Sequence, residues 1–309
     1  MQQLALTSLN QIIIMFLIII IGIICYKIKL IDNDMNKKLS DVVLMLINPL
    51  VLFVSYQREF EKDLLQGLII SIILAVIIHV LGIIISICLI RGKDKKDKIS
   101  IERFAAIYSN CGFIGIPLAN GLFGGEGVFY IAAYVTVFNI FLWTHGVIVM
   151  TGRSDWKALG KAILSPTIIA TIIGVVLFIL QIKLPNPMFE AFNYIASMNT
   201  PMAMLVSGVT IAQTNVLKLF IKPRMYYLTF VKLLVIPVLV MLIFSLFSIP
   251  EVVSRTSILA VSTPTAVSVT LFSLRYGKDH IYSSEIFAMT TIFSAITIPL
   301  IMAIADMIL

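Results

Sequence analysis

The chain has 309 residues, 60% of them hydrophobic and only 13% charged, with a formal net charge of +7 and a mean hydropathy of +1.04. Soluble domains carry about a quarter charged residues. A soluble enzyme, a disordered chain, a disulfide scaffold and a coiled coil are therefore excluded, and a polytopic membrane protein is left.

A spanning helix takes about 20 residues. Apolar runs predict ten spans, near 8–26, 39–56, 64–90, 101–121, 127–150, 160–181, 188–211, 225–248, 256–274 and 281–305. The loops left over are short and hold no catalytic domain. The N-terminus has neither a basic leader nor a small-residue cleavage site, so the first run reads as a retained span. Cys25, Cys88 and Cys111 lie in or beside apolar runs without metal or redox spacing and read as small hydrophobes.

Lys and Arg give the direction. Of the 23, 18 fall on odd-numbered loops, four on even-numbered loops, and Lys232 lies inside the eighth span. Positive charge gathers on the cytoplasmic side, which predicts cytoplasmic odd loops and extracytoplasmic termini. No Lys/Arg stripe alternates with aromatics, so nucleic acid is not an expected partner.

The chain reads as a repeat. Asn48–Pro49 in the second span is matched by Thr200–Pro201 in the seventh. The run from Asn110 to Pro117 in the fourth is matched by Ser262 to Ser268 in the ninth. Each interrupted span is followed by a helix with an early glutamate, Glu126 or Glu285. Five spans per half force the second half to enter from the opposite side, giving inverted repeats at 1–150 and 160–309 with a short linker at 151–159.

The chemistry is expected at the interruptions. Pro117 and Pro264 each remove a backbone donor and clash with a carbonyl one turn back, which predicts a break at each; Gly112 and Gly115 ease the first. Broken helices survive in lipid only if their freed backbone groups are buried or face a water-filled cavity. Two breaks in matched positions can satisfy each other by crossing. Their half-helix N-termini attract an anion, and Ser109, Asn110, Thr263, Thr265 and Ser268 could donate hydrogen bonds to a carboxylate. Asn139 in the fifth span is a further candidate for the ligand. His79 and His145 read as interhelical hydrogen-bonding groups, Lys232 as a snorkelling side chain and Pro237 as a simple kink. No acidic residue lies near a span centre, which weakens carboxylate-based ion coupling.

The stretch from Asn110 to Pro117, continuing through Gly121 and Gly124 to Gly127, resembles the fourth-span motif of the auxin efflux carrier family, whose bacterial members are often labelled malate permeases. Asn48 to Phe53, Pro201 to Gly208 and Ser262 to Ala266 resemble its second-, seventh- and ninth-span signatures. The resemblance implies an all-α membrane protein of ten helices in two inverted five-helix repeats, with helices 4 and 9 broken and crossing. It further implies a scaffold domain from spans 1, 2, 6 and 7 and a transport domain from spans 3–5 and 8–10 that moves in an elevator-like way. By position Asn110, Pro117 and Pro264 match the crossover, and Asn139 matches a polar position beside the substrate. The long loop between the halves of the plant relatives is absent here.

The expectation is a secondary transporter of a small organic anion such as a dicarboxylate or an auxin-like carboxylate, with no catalytic residue, metal or cofactor. Its partners are that anion and the bilayer, and a homodimer is admitted. The alternative is a sodium-coupled carboxylate symporter of the bile-acid type. No intramembrane protease or lipase motif is present.

Overall fold

A computed structural model of the chain describes residues 2–92, 96–153, 160, 164–214 and 219–309. The cytoplasmic cations expected at Lys93, Lys95, Lys157, Lys161 and Lys218, and residues 154–159 of the linker, lie outside the described residues. Every regular element among the described residues is helical. Among the described residues, seven helices are long and apolar enough to cross a membrane.

The helices, in chain order, are α1 (Gln2–Lys27), α2 (Asn33–Ser55), α3 (Lys62–Leu89), α4 (Lys96–Ile107) and α5 (Cys111–Thr151). They continue with α6 (Pro166–Ile179), α7 (Asn186–Ala212), α8 (Pro223–Phe244), α9 (Glu251–Ser262), α10 (Ser268–Arg275) and α11 (His280–Ile308). Helix α5 doubles back at Gly124, whose φ of 59° lies in the left-handed region that glycine tolerates. With 14 residues, α6 is shorter than the usual spanning length.

The prolines act differently from one another. At Pro264 the chain leaves helical geometry, and α9 ends at Ser262. Pro117 does not break its helix. The break in that span falls earlier, between α4 and α5, and Pro117 sits inside α5. The reason is local. A wide π-turn, Cys111–Gly115, ends two residues before Pro117 and gives the ring the room that an ordinary turn lacks. The same device recurs as Val43–Ile47 before Pro49 and Val231–Val235 before Pro237.

Packing divides along small residues. Helix α1 lies against α7 more extensively than any other described pair. Gly22 and Gly208 make this possible: a Cβ on Gly208 would stand 2.1 Å from the Ile19 carbonyl, and one on Gly22 would stand 2.4 Å from the Leu205 carbonyl. Small residues in register are how membrane helices gain dispersion contact without a hydrophobic drive. The outward face of α1, with Ile13, Ile14, Leu17, Ile20, Ile21 and Ile24, is exposed and apolar, as a lipid-facing surface requires. Polar ties join other helices at one face. Arg224 pairs with the buried Glu102, which also accepts from Tyr282 Oη at 2.7 Å. Lys222 reaches Glu285 at 2.6 Å and Lys278 reaches Asp97 at 2.7 Å.

Candidate functional site

The break between α4 and α5 (Tyr108, Ser109, Asn110) and the break between α9 and α10 (Thr263 to Val267) run antiparallel against each other. Ser109 and Thr265 form an isolated β-bridge. The Asn110 N–H donates to the Pro264 carbonyl at 2.7 Å, and the Ala266 N–H donates to the Tyr108 carbonyl at 2.9 Å. Each interruption supplies the partners that the other lost, so backbone that would cost several kcal/mol per group in lipid is satisfied within the protein.

Hydroxyls complete the knot. Thr265 Oγ1 donates to Ala105 O at 3.0 Å, and the Thr265 N–H donates to Thr290 Oγ1 on α11 at 3.2 Å. Thr263 Oγ1 donates at 2.8 Å to Ala260 O, the carbonyl that Pro264 frees. Ser109 Oγ donates to Val261 O at 3.2 Å. All three side chains are fully buried.

Lys232, on the π-turn of α8, corrects the snorkelling expectation. Its side chain is 1% exposed, and Nζ donates to Ser109 Oγ at 2.5 Å and to Val261 O at 3.5 Å. Periodicity alone cannot locate this lysine, because the break that receives it lies 123 residues earlier in the chain. Its head group stands at the carboxyl end of α9, where the helix dipole favours positive charge.

On the other side of the knot lies a cavity of about 180 Å³. It is bordered by the first residues of α5 (Gly112, Phe113) and of α10 (Ser268, Leu271), by Asn110, Ser109 and Asn139, and by Asn48 on α2. Helix N-termini present unsatisfied N–H groups and a partial positive charge. Three buried polar atoms at this cavity have no hydrogen-bond partner among the described residues: Asn110 Nδ2, Ser268 Oγ and Asn48 Oδ1. A buried polar atom left unsatisfied costs about 1–3 kcal/mol, so their clustering at one hollow marks a place built for a polar occupant. Phe138, Trp143 and Phe272 supply apolar walls.

The sequence-derived candidates therefore separate. Asn110, Asn139, Ser109 and Ser268 line the cavity, and Asn139 Nδ2 also donates at 2.9 Å to Val135 O on its own helix. Thr263 and Thr265 do not line it; their hydroxyls hold the crossing together. Gly112 and Gly115 permit close approach: a Cβ on Gly112 would meet Asn48 Nδ2 at 3.3 Å, and one on Gly115 would meet Ile131 Cδ1 at 2.9 Å. Asn48 was not a site candidate in the sequence, although its polarity in an apolar run was the available signal. His79 is buried, with Nδ1 2.7 Å from Ala75 O on its own helix and its ring stacked on Phe141, and His145 Nδ1 lies 3.1 Å from Tyr108 Oη. Among the described residues no three His, Cys, Asp or Glu side chains gather as metal ligands would.

Comparison with known proteins gives a family model described as "Membrane transport protein", which matches residues 7–158 and 153–302. A protein of Rhizobium meliloti named "Putative malonate transporter" is 26% identical over 270 residues, covering 84% of each chain. A protein of Methanocaldococcus jannaschii named as an uncharacterized transporter is 22% identical over 306 residues, covering 94% of this chain and 97% of the relative. Another uncharacterized transporter, from Methanothermobacter thermautotrophicus, is 21% identical over 299 residues, covering 95% and 97%.

Proposed function

We propose, from the premise that the chain belongs to the membrane transport protein family of auxin efflux carriers, that it carries a small organic anion across the membrane and binds it in the cavity at the crossing. One observation carries this reading: three unpartnered polar atoms and two helix N-termini converge on a hollow beside two mutually hydrogen-bonded breaks. A carboxylate there would accept from Asn110 Nδ2 and Ser268 Oγ, with the positive ends of α5 and α10 beside it. Asn139 and Ser109 would border it, with Thr263 and Thr265 keeping the crossing rigid. The volume suits a compact dicarboxylate more closely than an indole-sized acid, and the relative whose printed name mentions malonate supports that class.

In this reading ten spans form two inverted repeats with extracytoplasmic termini. Spans 1, 2, 6 and 7 form the scaffold, and spans 3–5 and 8–10 form the moving domain. The close seat of α1 on α7 supports the first grouping. The ties from Arg224 to Glu102, from Lys222 to Glu285 and from Lys278 to Asp97 support the second, because each joins elements within it. Displacement of one domain past the other would expose the cavity to each side in turn. Lys232 supports a carrier without sodium coupling: its head group stands where a cation would otherwise balance the carboxyl end of α9, and like charges repel at close range.

The test is uptake of radiolabelled malonate into proteoliposomes. The expected result is counterflow that is saturable, indifferent to a sodium gradient and lost in Asn110→Ala at unchanged incorporation. Flux that Asn110→Ala leaves intact overturns the site, and flux that needs sodium overturns the coupling.

A further inference from the structure

A second hollow, of about 400 Å³, opens where α2 ends, between α2, α7 and the outer ends of the two arms of α5. Its volume lies within the usual range of ligand pockets, roughly 300–1,000 Å³. Arg58, Gln57 and Asn199 line it, and among the described residues no carboxylate does. Pro117 and Ile116 also border it, so it begins about one helical turn beyond the residues of the crossing.

The polar groups here are held in place with hydrogen-bonding capacity left over. Gln57 Oε1 accepts from the Leu184 N–H at 3.0 Å, which fixes the amide and leaves Nε2 as its free end. Nε2 has no partner among the described residues. The Arg58 guanidinium lies over the Phe129 ring at 5.5 Å, and its Nη1 is buried and likewise unpartnered. Asn199 is 4% exposed, and neither its Nδ2 nor its Oδ1 has a partner. One guanidinium and two amide donors, with no carboxylate among the described residues that line the hollow, form an acceptor-seeking set. A planar guanidinium matches a carboxylate fork. The guanidinium can pair with one carboxylate of a small dicarboxylate, and the flanking amides can donate to it.

We propose that this hollow is a second carboxylate-binding site, with Arg58 as its charged anchor and Gln57 and Asn199 as flanking donors, occupied by the transported anion between the crossing and the face at which α2 ends. The proposal rests on the reading of the chain as an organic-anion carrier, and the two can fail separately. The site gives the anion a paired position after it leaves the crossing, and it raises the local concentration of anions entering from that face.

The experiment is equilibrium binding of radiolabelled malonate to the purified full-length protein, wild type against Arg58→Gln, Arg58→Lys, Asn199→Ala and Asn110→Ala. Two equivalents are expected for the wild type. One is expected for Arg58→Gln and one for Asn110→Ala, while Arg58→Lys retains the second with affinity weakened about tenfold and Asn199→Ala weakens it without touching the first. Stoichiometry and affinity unchanged in Arg58→Gln overturn the second site and leave the crossing intact. A single equivalent lost in Arg58→Gln and kept in Asn110→Ala upholds the second site and overturns the crossing as a binding place. Should Arg58→Gln fail to fold, Asn199→Ala with two equivalents of unaltered affinity overturns the proposal in its stead.

Discussion

Lys232 reaches from α8 to the hydroxyl of Ser109, 2.5 Å away, at the point where two broken helices are stitched together. Ser109 in turn donates to the Val261 carbonyl in the last turn of α9, just before the second break. The lysine therefore ties the first break to the carboxyl end of α9, through a buried side chain. Replacing it with the similarly sized but apolar Met removes a buried polar head group whose desolvation is costly, while Ser109 keeps its bond to Val261. Lys232→Met is expected to fold, with a thermal midpoint equal to or above that of the wild type, and to lose malonate uptake at least tenfold. A mutant that transports normally would show that the head group is structural filling.

The seat of α1 on α7 gives a purely steric prediction. A Cβ on Gly208 would stand 2.1 Å from the Ile19 carbonyl, whereas one on Gly125 would meet nothing within 4 Å. Gly208→Leu must push two backbones apart, at a cost of about 3 kcal/mol or more. Gly125→Ala is expected within about 0.5 kcal/mol of the wild type. Thermal unfolding in one detergent orders them, and equal midpoints for the two variants contradict the close crossing.

Thr290 tests the crossing from the side of α11. Its hydroxyl accepts the Thr265 N–H at 3.2 Å. Thr290→Val keeps shape but leaves that buried donor without a partner, which costs about 1–3 kcal/mol. Amide exchange at Thr265 is expected to quicken in step with the lost stability. Unchanged exchange would mean that another acceptor takes the N–H.

A pH dependence attaches to the ion pair of Asp97 and Lys278. The hydrogen bond and charge of Lys278 hold the Asp97 carboxyl below the usual carboxylate range. A carboxyl lowered by folding stabilises the native state above its unfolded pKa, and the effect is lost as pH falls through the folded value. The midpoint difference between wild type and Asp97→Asn is therefore expected to be present at neutral pH, to shrink on acidification below the normal carboxylate pKa, and to shrink in high salt because the carboxylate is exposed. A difference constant across that range removes the pair from the account.

Some of the architecture is written plainly in local chemistry. Long apolar runs announce spanning helices, and Pro264 marks a true break because its ring meets no widened turn. Asn110 is legible as a cavity residue because an amide in an apolar run needs a reason. Other features depend on partners far away in sequence. Thr263 and Thr265 look like Asn110 by polarity, yet the carbonyls of Ala260 and Ala105 claim their hydroxyls. Lys232 sits near enough to a span end to look free to reach water, and only the fold shows Ser109 beside it. Arg58 reads as an ordinary loop cation until Gln57, Asn199 and Phe129 assemble around it.

The three wide turns ahead of Pro49, Pro117 and Pro237 carry a rotational consequence. Each spends one residue more than an α-helical turn, so side chains downstream are swung by roughly 100° from where uninterrupted winding would put them. A helical wheel drawn straight through α2 thus assigns Asn48, the first residue past its bulge, to a mistaken face unless it is re-phased there. Deleting a single residue inside such a bulge would restore ordinary pitch and turn the rest of that helix away from its present neighbours.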